Sequence, residues 1–177
     1  MNLTALQTVY DAGLVQRCHT LPTLVPNSVG RHSYGVAWAL LWLAGNVPVP
    51  TQLLLAALAH DVPELVTGDI PHTMKHHAGR PFAEAVRTTE TDFMSRLGIN
   101  FDAALTTHQC LLLHVADAVD GALMCRHELL VGNHHPTIVE VMSTYVDMLR
   151  RARDDTRLAV GVSGRITELL HKLEQTP

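Results

Sequence analysis

Cysteine is scarce in this chain, and what little there is excludes two classes of small fold. Cys18, Cys110 and Cys125 are the only 3 cysteines; they are odd in number, lie far apart and form no CxxC pair. Neither a disulfide framework nor a cysteine zinc knuckle is supported, and a reducing cytoplasm is the natural home. Long apolar runs are missing too. Val36 to Ala44 and Leu53 to Ala59 are the most apolar stretches, far short of the ~20 residues that span a bilayer. The N-terminus has no basic segment followed by an apolar one, so neither a signal peptide nor a membrane partner is expected. Positive charge is also in short supply. A formal net charge of −4 speaks against a general nucleic-acid binder, which needs a basic stripe to neutralise phosphates. A small anionic substrate stays open, because a metal and a few local cations outweigh the global charge.

The 177 residues show no internal repeat, low-complexity tract or dividing linker, so one domain over residues 1–177 is expected. No stretch alternates with a period of two, and turn signals fall between long helical windows. Asn2 can cap a helix over Leu3 to Ala12, with Gly13 ending it. Leu14 to Gly30 reads as irregular, punctuated by Pro22, Pro26 and Gly30. Helices follow from about His32 to Leu43, from Gln52, capped by Thr51, to His60 or Asp61, and from Phe82 to Leu97. Gln109 to Leu130, Thr137 to Arg153 and Ser163 to Leu173 complete the set, and Val62 to Gly79 is loop with a helical turn. The fold class is therefore all-α, a compact bundle of about six or seven helices. The helix from Gln109 is nearly apolar through Leu123 and should be central.

What the chain has in excess is histidine: 12, against 13 lysines and arginines together. Position gives some of them meaning. His60 and Asp61 end the otherwise apolar run Leu53 to Ala59. A charge there is expensive if buried alone, and a metal removes that cost, since imidazole and carboxylate are standard ligands. Asp117 interrupts another apolar run, Leu111 to Val119, and His32 opens a strong helix. Singly, each has an ordinary explanation: a helix-ending aspartate, a histidine bonded to a carbonyl, a carboxylate paired with arginine. Together, on three helices that should form one core, they are better explained by one ion.

The spacing His32, His60-Asp61, Asp117 resembles the H…HD…D pattern of HD-domain metal-dependent phosphohydrolases. Gly30-Arg-His-Ser33 and the string HDxxExxxGDxP over His60 to Pro71 sharpen the match. They resemble the small bacterial 5′-deoxynucleotidases and their phage relatives, some of which are dATP triphosphohydrolases. The resemblance covers roughly Arg17 to Arg126. It implies an HD-type fold with His32, His60, Asp61 and Asp117 as metal ligands and Glu64 and Asp69 as catalytic residues. Glu64 is expected to handle the water and Asp69 the leaving group, with the exchanged roles nearly as well supported. Arg17 and Lys75 are implied as phosphate partners, and His19 and His72 are read with them as substrate contacts. Two positions depart from the pattern. Cys18 stands where the deoxynucleotidases usually carry Trp, and His114 where they carry a lysine before the last aspartate. The first departure bears on base and sugar selection and leaves the metal site untouched.

The reaction implied is hydrolysis of a deoxynucleotide at its α-phosphorus. The loop His72 to Arg80, rich in groups that can carry positive charge, leans the reading toward a dNTP triphosphohydrolase of the dATP type. A 5′-deoxynucleotidase acting on dNMPs is the alternative. A non-catalytic HD nucleotide-binding module is the rival from another class, and the presence of both Glu64 and Asp69 argues against it. Two histidines and two carboxylates suit Mn, Co, Zn, Fe or Ni, and a second ion such as Mg is compatible with a triphosphate. Relatives assemble as dimers or hexamers, which implies a homo-oligomer; Val139 to Leu149 reads equally well as interface or core.

Overall fold

Asn2 starts the first helix, α1 (Leu3–Ala12), by accepting the backbone N–H of Ala5 at 2.8 Å, which satisfies one of the donors a helix start leaves unpaired. The computed structural model describes residues 2–71, 74, 77–99 and 105–175. Among these, seven helices of nine or more residues and one single-turn helix make up nearly all the regular structure.

The predicted irregular segment after α1 contains a minimal antiparallel pairing, β1 (Gln16–Arg17) with β2 (Asn27–Ser28), in which Gln16 faces Ser28 and Arg17 faces Asn27. Two residues are too few to leave an alternating pattern in a sequence. Helix α2 (Val29–Ala44) starts directly from β2, with the Ser28 side chain accepting the N–H of Arg31. The expected start at His32 was three residues late because Gly30 reads as a breaker. Gly30 is instead a packing residue: a Cβ there would lie 3.0 Å from the Gly13 carbonyl oxygen. His32 is therefore in the first turn of α2 and not at its opening.

Helix α3 (Thr51–Ala59) begins after Pro50, and no side chain caps it. Thr51 is its first residue, not its cap. The short α4 (Glu64–Thr67) ends at Gly68, whose φ of 70° is a left-handed conformation open to glycine. Helix α5 (Gly79–Arg96) starts before the predicted Phe82, because Pro81 is tolerated in a first turn, where its missing N–H has no partner to lose. Helix α6 (Thr107–Leu130) opens with a reciprocal capping box between Thr106 and Gln109. Helix α7 (Pro136–Arg153) has proline at its first position, and α8 (Val160–Glu174) runs through Gly161 and Gly164.

The main core joins α2, α3, α6, α7 and α8, with Leu40, Leu43, Leu53, Ile138, Leu149 and Ile166 fully buried. Each such side chain adds about 1.5–3 kcal/mol relative to exposure. Helix α6 is central, as its composition predicts, packed against α2 on one side and α7 on the other. The α6–α7 approach is close at Gly121, where any Cβ would come within 2.3 Å of the Tyr145 ring. A smaller cluster of Ala12, Ala59, Val62 and Ile99, with Val9 and Phe93, lies outside this core. The Val139 to Leu149 stretch is mixed: Met142 and Leu149 are core, while Val139 and Met148 are exposed. No helix among the described residues is long and apolar enough to cross a membrane.

Candidate metal centre

Three helix positions bring the predicted ligands together. His32 hangs from the first turn of α2, His60 caps the C-terminus of α3, and Asp117 sits in the middle of α6. His32 Nε2 lies 3.2 Å from His60 Nε2 and 3.1 Å from Asp117 Oδ1. One ligand atom from each of these residues falls within 4.8 Å of the others, a set that could hold a metal ion. Asp61, next along the chain from His60, places its Oδ2 3.3 Å from His32 Nε2 and 3.5 Å from His60 Nε2. Its other partner is Arg17, whose Nη1 bonds the same oxygen.

Hydrogen bonds at the far side of each ring decide which nitrogen faces the centre. His60 Nδ1–H donates to the Ala57 carbonyl at 3.0 Å. His32 Nδ1–H donates to Asp120 Oδ2 at 2.7 Å. With both Nδ1 atoms occupied as donors, the two neutral rings turn Nε2 lone pairs toward one another and toward the carboxylates of Asp61 and Asp117. Four electron-pair donors around one point need a cation among them. The donor set therefore fits a divalent metal, and two nitrogens with two carboxylate oxygens suit a transition ion. Without a metal a proton takes that place. Burial works against the charged His32 ring, which is only 4% exposed, but hydrogen bonds to Asp117 and Asp120 outweigh it and push its pKa up to about 9. Burial likewise works against ionised Asp117, and its bond from His32 overrides this and holds it low.

Beside the centre, Arg17 binds two carboxylates at once: Asp61, and Glu64 Oε1 at 3.2 Å. The HDxxE spacing puts Glu64 at the first position of α4, where its backbone N–H bonds the Asp61 carbonyl at 3.0 Å. Burial and the charge of Asp61 push the Glu64 carboxyl upward against the pull of Arg17. Arg17 Nε and Glu64 Oε2 are both buried with no hydrogen-bond partner among the described residues. Buried polar atoms of this kind are costly unless something else meets them, which suits a polar ligand between Arg17 and Glu64.

The remaining predicted site residues divide. Asp69 Oδ2 accepts the backbone N–H of Cys18 at 2.6 Å and stands 3.7 Å from His19 Nδ1. His19 is 52% exposed. A cavity of about 470 Å³ opens beside these segments, lined by Thr20, Pro71, Met74 and His77. Lys75 and His72, with His76, lie outside the described residues. Arg80 is 89% exposed and pairs with Glu84 of its own helix at 2.8 Å. His114, in place of the usual lysine, is on the exposed side of α6.

Sequence reasoning missed three polar residues that shape the site. Asp120 holds His32, and its signal was a second carboxylate one helical turn after Asp117 in the same apolar run. Glu128 is 1% exposed and accepts the N–H groups of Leu24 and Val25 at 2.8 and 2.9 Å. Asn133 donates to Glu128 Oε2 at 2.6 Å and to the Pro22 carbonyl at 2.7 Å. Together these two tie down the strap between β1 and β2, which follows directly after Arg17.

A family model of YfbR-like 5′-deoxynucleotidases matches residues 5–156. The chain belongs to that family. It is a metal-dependent phosphohydrolase. The 5′-deoxynucleotidase of Photorhabdus laumondii is 26% identical over 141 residues, covering 68% of this chain and 71% of the relative. That of Vibrio parahaemolyticus is 29% identical over 140 residues, covering 68% and 72%. Among solved structures, the HD phosphohydrolase of cyanophage S-2L, bound to dA and one catalytic Zn²⁺ ion, superposes with a TM-score of 0.69 at 18% identity, covering 99% of this chain and 100% of that one. An HD-domain phosphohydrolase from Listeria innocua gives 0.68 at 22% identity, covering 98% of each. The fold expected from the sequence, an all-α HD-type bundle, is the fold observed.

Proposed function

We propose that this chain hydrolyses deoxynucleoside 5′-monophosphates to nucleoside and phosphate, with His32, His60, Asp61 and Asp117 holding a divalent metal. The observation that carries the reading is His32 Nε2 standing 3.2 Å from His60 Nε2 and 3.1 Å from Asp117 Oδ1, beside a half-buried Arg17–Glu64 pair whose buried Nε and Oε2 have no partner among the described residues. When bound, the metal supplies Lewis acidity at the phosphate and lowers the pKa of water. The protein supplies the rest. Arg17 is the cation for a phosphate oxygen and shifts part of its hold from Asp61 to the substrate. Glu64 orients the attacking water and takes its proton. Asp69 gives a proton to the departing 5′ oxygen, so that the P–O5′ bond breaks as the water oxygen bonds to phosphorus. The cavity lined by Thr20, Pro71, Met74 and His77 offers the nucleoside an apolar surface.

The names of the curated relatives support the monophosphate. A dNTP triphosphohydrolase is the second reading. It drew on the cations of the loop His72 to Arg80, and Arg80 turns outward onto Glu84 instead. The reading takes residues 1–177 as one domain and includes assembly into a dimer or hexamer, which sedimentation of the pure protein tests.

Incubation with each dNMP and dNTP plus Mn or Co, followed by product analysis, tests the substrate. Nucleoside plus orthophosphate from dNMPs is expected. Release of intact triphosphate from a dNTP would favour the second reading, and no turnover of any nucleotide would leave only a binding module.

A further inference from the structure

We propose that Asp120 is a positioning residue for the metal centre: its carboxylate fixes the His32 ring with Nε2 turned inward, and Gly35 is glycine so that this carboxylate fits. The inference rests on the reading of His32 as a metal ligand. It adds a residue that lies outside the H…HD…D pattern and that no part of the proposed reaction uses.

The geometry is a clamp built from one helix face. Asp117 and Asp120 are three residues apart on α6, so they project from the same side, about one turn apart. Asp117 Oδ1 meets His32 Nε2 at 3.1 Å, and Asp120 Oδ2 meets His32 Nδ1 at 2.7 Å. One imidazole is therefore held at both nitrogens by a single helical turn. His60 has no such carboxylate among the described residues; its Nδ1 bonds the Ala57 carbonyl of its own helix. A carboxylate behind a ligating histidine fixes the tautomer and ring orientation and makes the ring a better donor. A backbone carbonyl fixes orientation with less charge.

Gly35 supplies an independent observation. It lies three residues after His32, on the same face of α2. A Cβ built there would sit 1.8 Å from Asp120 Oδ1 and 2.7 Å from its Cγ. An alanine at this position cannot coexist with the carboxylate where it stands. The α2–α6 contact thus reserves space for the Asp120 side chain, and its carboxylate is aimed at His32.

The test measures Zn²⁺ affinity by competition with a chromogenic chelator, and the visible spectrum of the Co²⁺-loaded protein, for the full chain and its variants. Asp120→Ala is expected to weaken Zn²⁺ binding about 10–100-fold and to change the Co²⁺ ligand-field bands. Asp120→Asn keeps an acceptor for Nδ1–H without the charge and should fall between Ala and the unaltered protein. Gly35→Ala should resemble Asp120→Ala, and the double variant should bind no more weakly than either single one, because both remove the same contact. Far-ultraviolet circular dichroism of each metal-free variant identifies any that fails to fold, in which case Asp120→Asn carries the test. Affinity and Co²⁺ spectrum unchanged in both Asp120→Asn and Asp120→Ala would overturn the inference, as would fully additive losses in the double variant. His32→Ala separates the two levels. If it binds Zn²⁺ as the unaltered protein does, the ligand assignment itself fails. If it loses Zn²⁺ while the Asp120 variants keep it, only the role of Asp120 fails.

Discussion

The backbone N–H of Cys18 donates to Asp69 Oδ2 at 2.6 Å, across 51 positions of sequence. This contact joins the strand end that delivers Arg17 to the bend that follows Glu64. Cys18 is the one non-glycine residue with positive φ among those described, at 58°. A conformation of that kind persists only where the surroundings over-determine it, and here the Asp69 carboxylate contributes by accepting the N–H it presents. Asp69 therefore has two candidate duties, holding the strap and protonating the leaving group.

Substitution separates those duties. Asp69→Asn retains an oxygen for the Cys18 N–H but cannot act as an acid. Its KM should stay near that of the unaltered protein while kcat falls roughly 10²-fold or more. Asp69→Ala removes both functions, so KM should rise as well. Steady-state kinetics on the best dNMP decide it. Equal, full activity of the two variants would remove Asp69 from the reaction.

Asp61 and Glu64 should differ in kind, although Arg17 touches both. Asp61→Ala takes away a proposed ligand, so bound metal and turnover should be lost together. Glu64→Ala should keep metal and lose most of the rate, by about 10²–10⁴-fold for a group that moves a proton. Metal content per chain, measured beside activity, distinguishes them. Loss of metal and fold on changing Glu64 would make it a structural residue.

Much of this centre was legible because charge interrupts apolar sequence there. His60 and Asp61 close an apolar helix and Asp117 breaks another, so each announced a need for a partner. Asp120 gave the same signal, but the nearby Asp117, read as a ligand, accounted for the interruption well enough to hide it. Glu128 gave none. A glutamate near a helix end reads as solvated, and only the returning strap, more than 100 positions earlier, makes it a buried acceptor. Helix starts were read short for a related reason. Glycines at 30 and 161 look like breakers in a sequence, whereas in the fold they lie inside helices, and Gly30 admits the backbone of Gly13. Tertiary contact overrides local propensity at such places.

Glu128 makes its own prediction. Burial works against its charge, but hydrogen bonds from Asn133, Leu24 and Val25 outweigh this and hold its carboxyl below the usual range. A depressed folded-state value adds stability above the unfolded value of 4.5, and that stability is lost as pH falls through the folded value. Glu128→Ala leaves the buried Asn133 amide and the part-buried N–H groups of Leu24 and Val25 without this acceptor and should cost about 3 kcal/mol, or roughly 6–12 °C in Tm at neutral pH. The deficit should shrink as the solution is acidified below pH ~4.5. Thermal melts from pH 3 to 7 test this. A constant deficit across that range would mean that the carboxylate's charge is not what holds the strap.

With His32 as a proposed ligand, metal uptake is linked to protons. In the metal-free protein its pKa stands near 9, raised by Asp117 and Asp120 against burial, so at neutral pH the ring carries an extra proton. A ligating imidazole must give that proton up. Metal binding at pH 7.5 should therefore release close to one proton, and affinity should rise about tenfold per pH unit from pH 7 toward 9, then level off. Titration calorimetry in two buffers of different ionisation enthalpy counts the proton directly. The metal-free fold should show the reverse trend, since a raised value adds stability that is complete below 6.5 and lost as pH rises through about 9. Alkaline pH should thus weaken the empty protein while strengthening its hold on metal. No proton release on binding, or an affinity flat between pH 7 and 9, would mean that the His32 ring does not carry that extra proton in the metal-free protein.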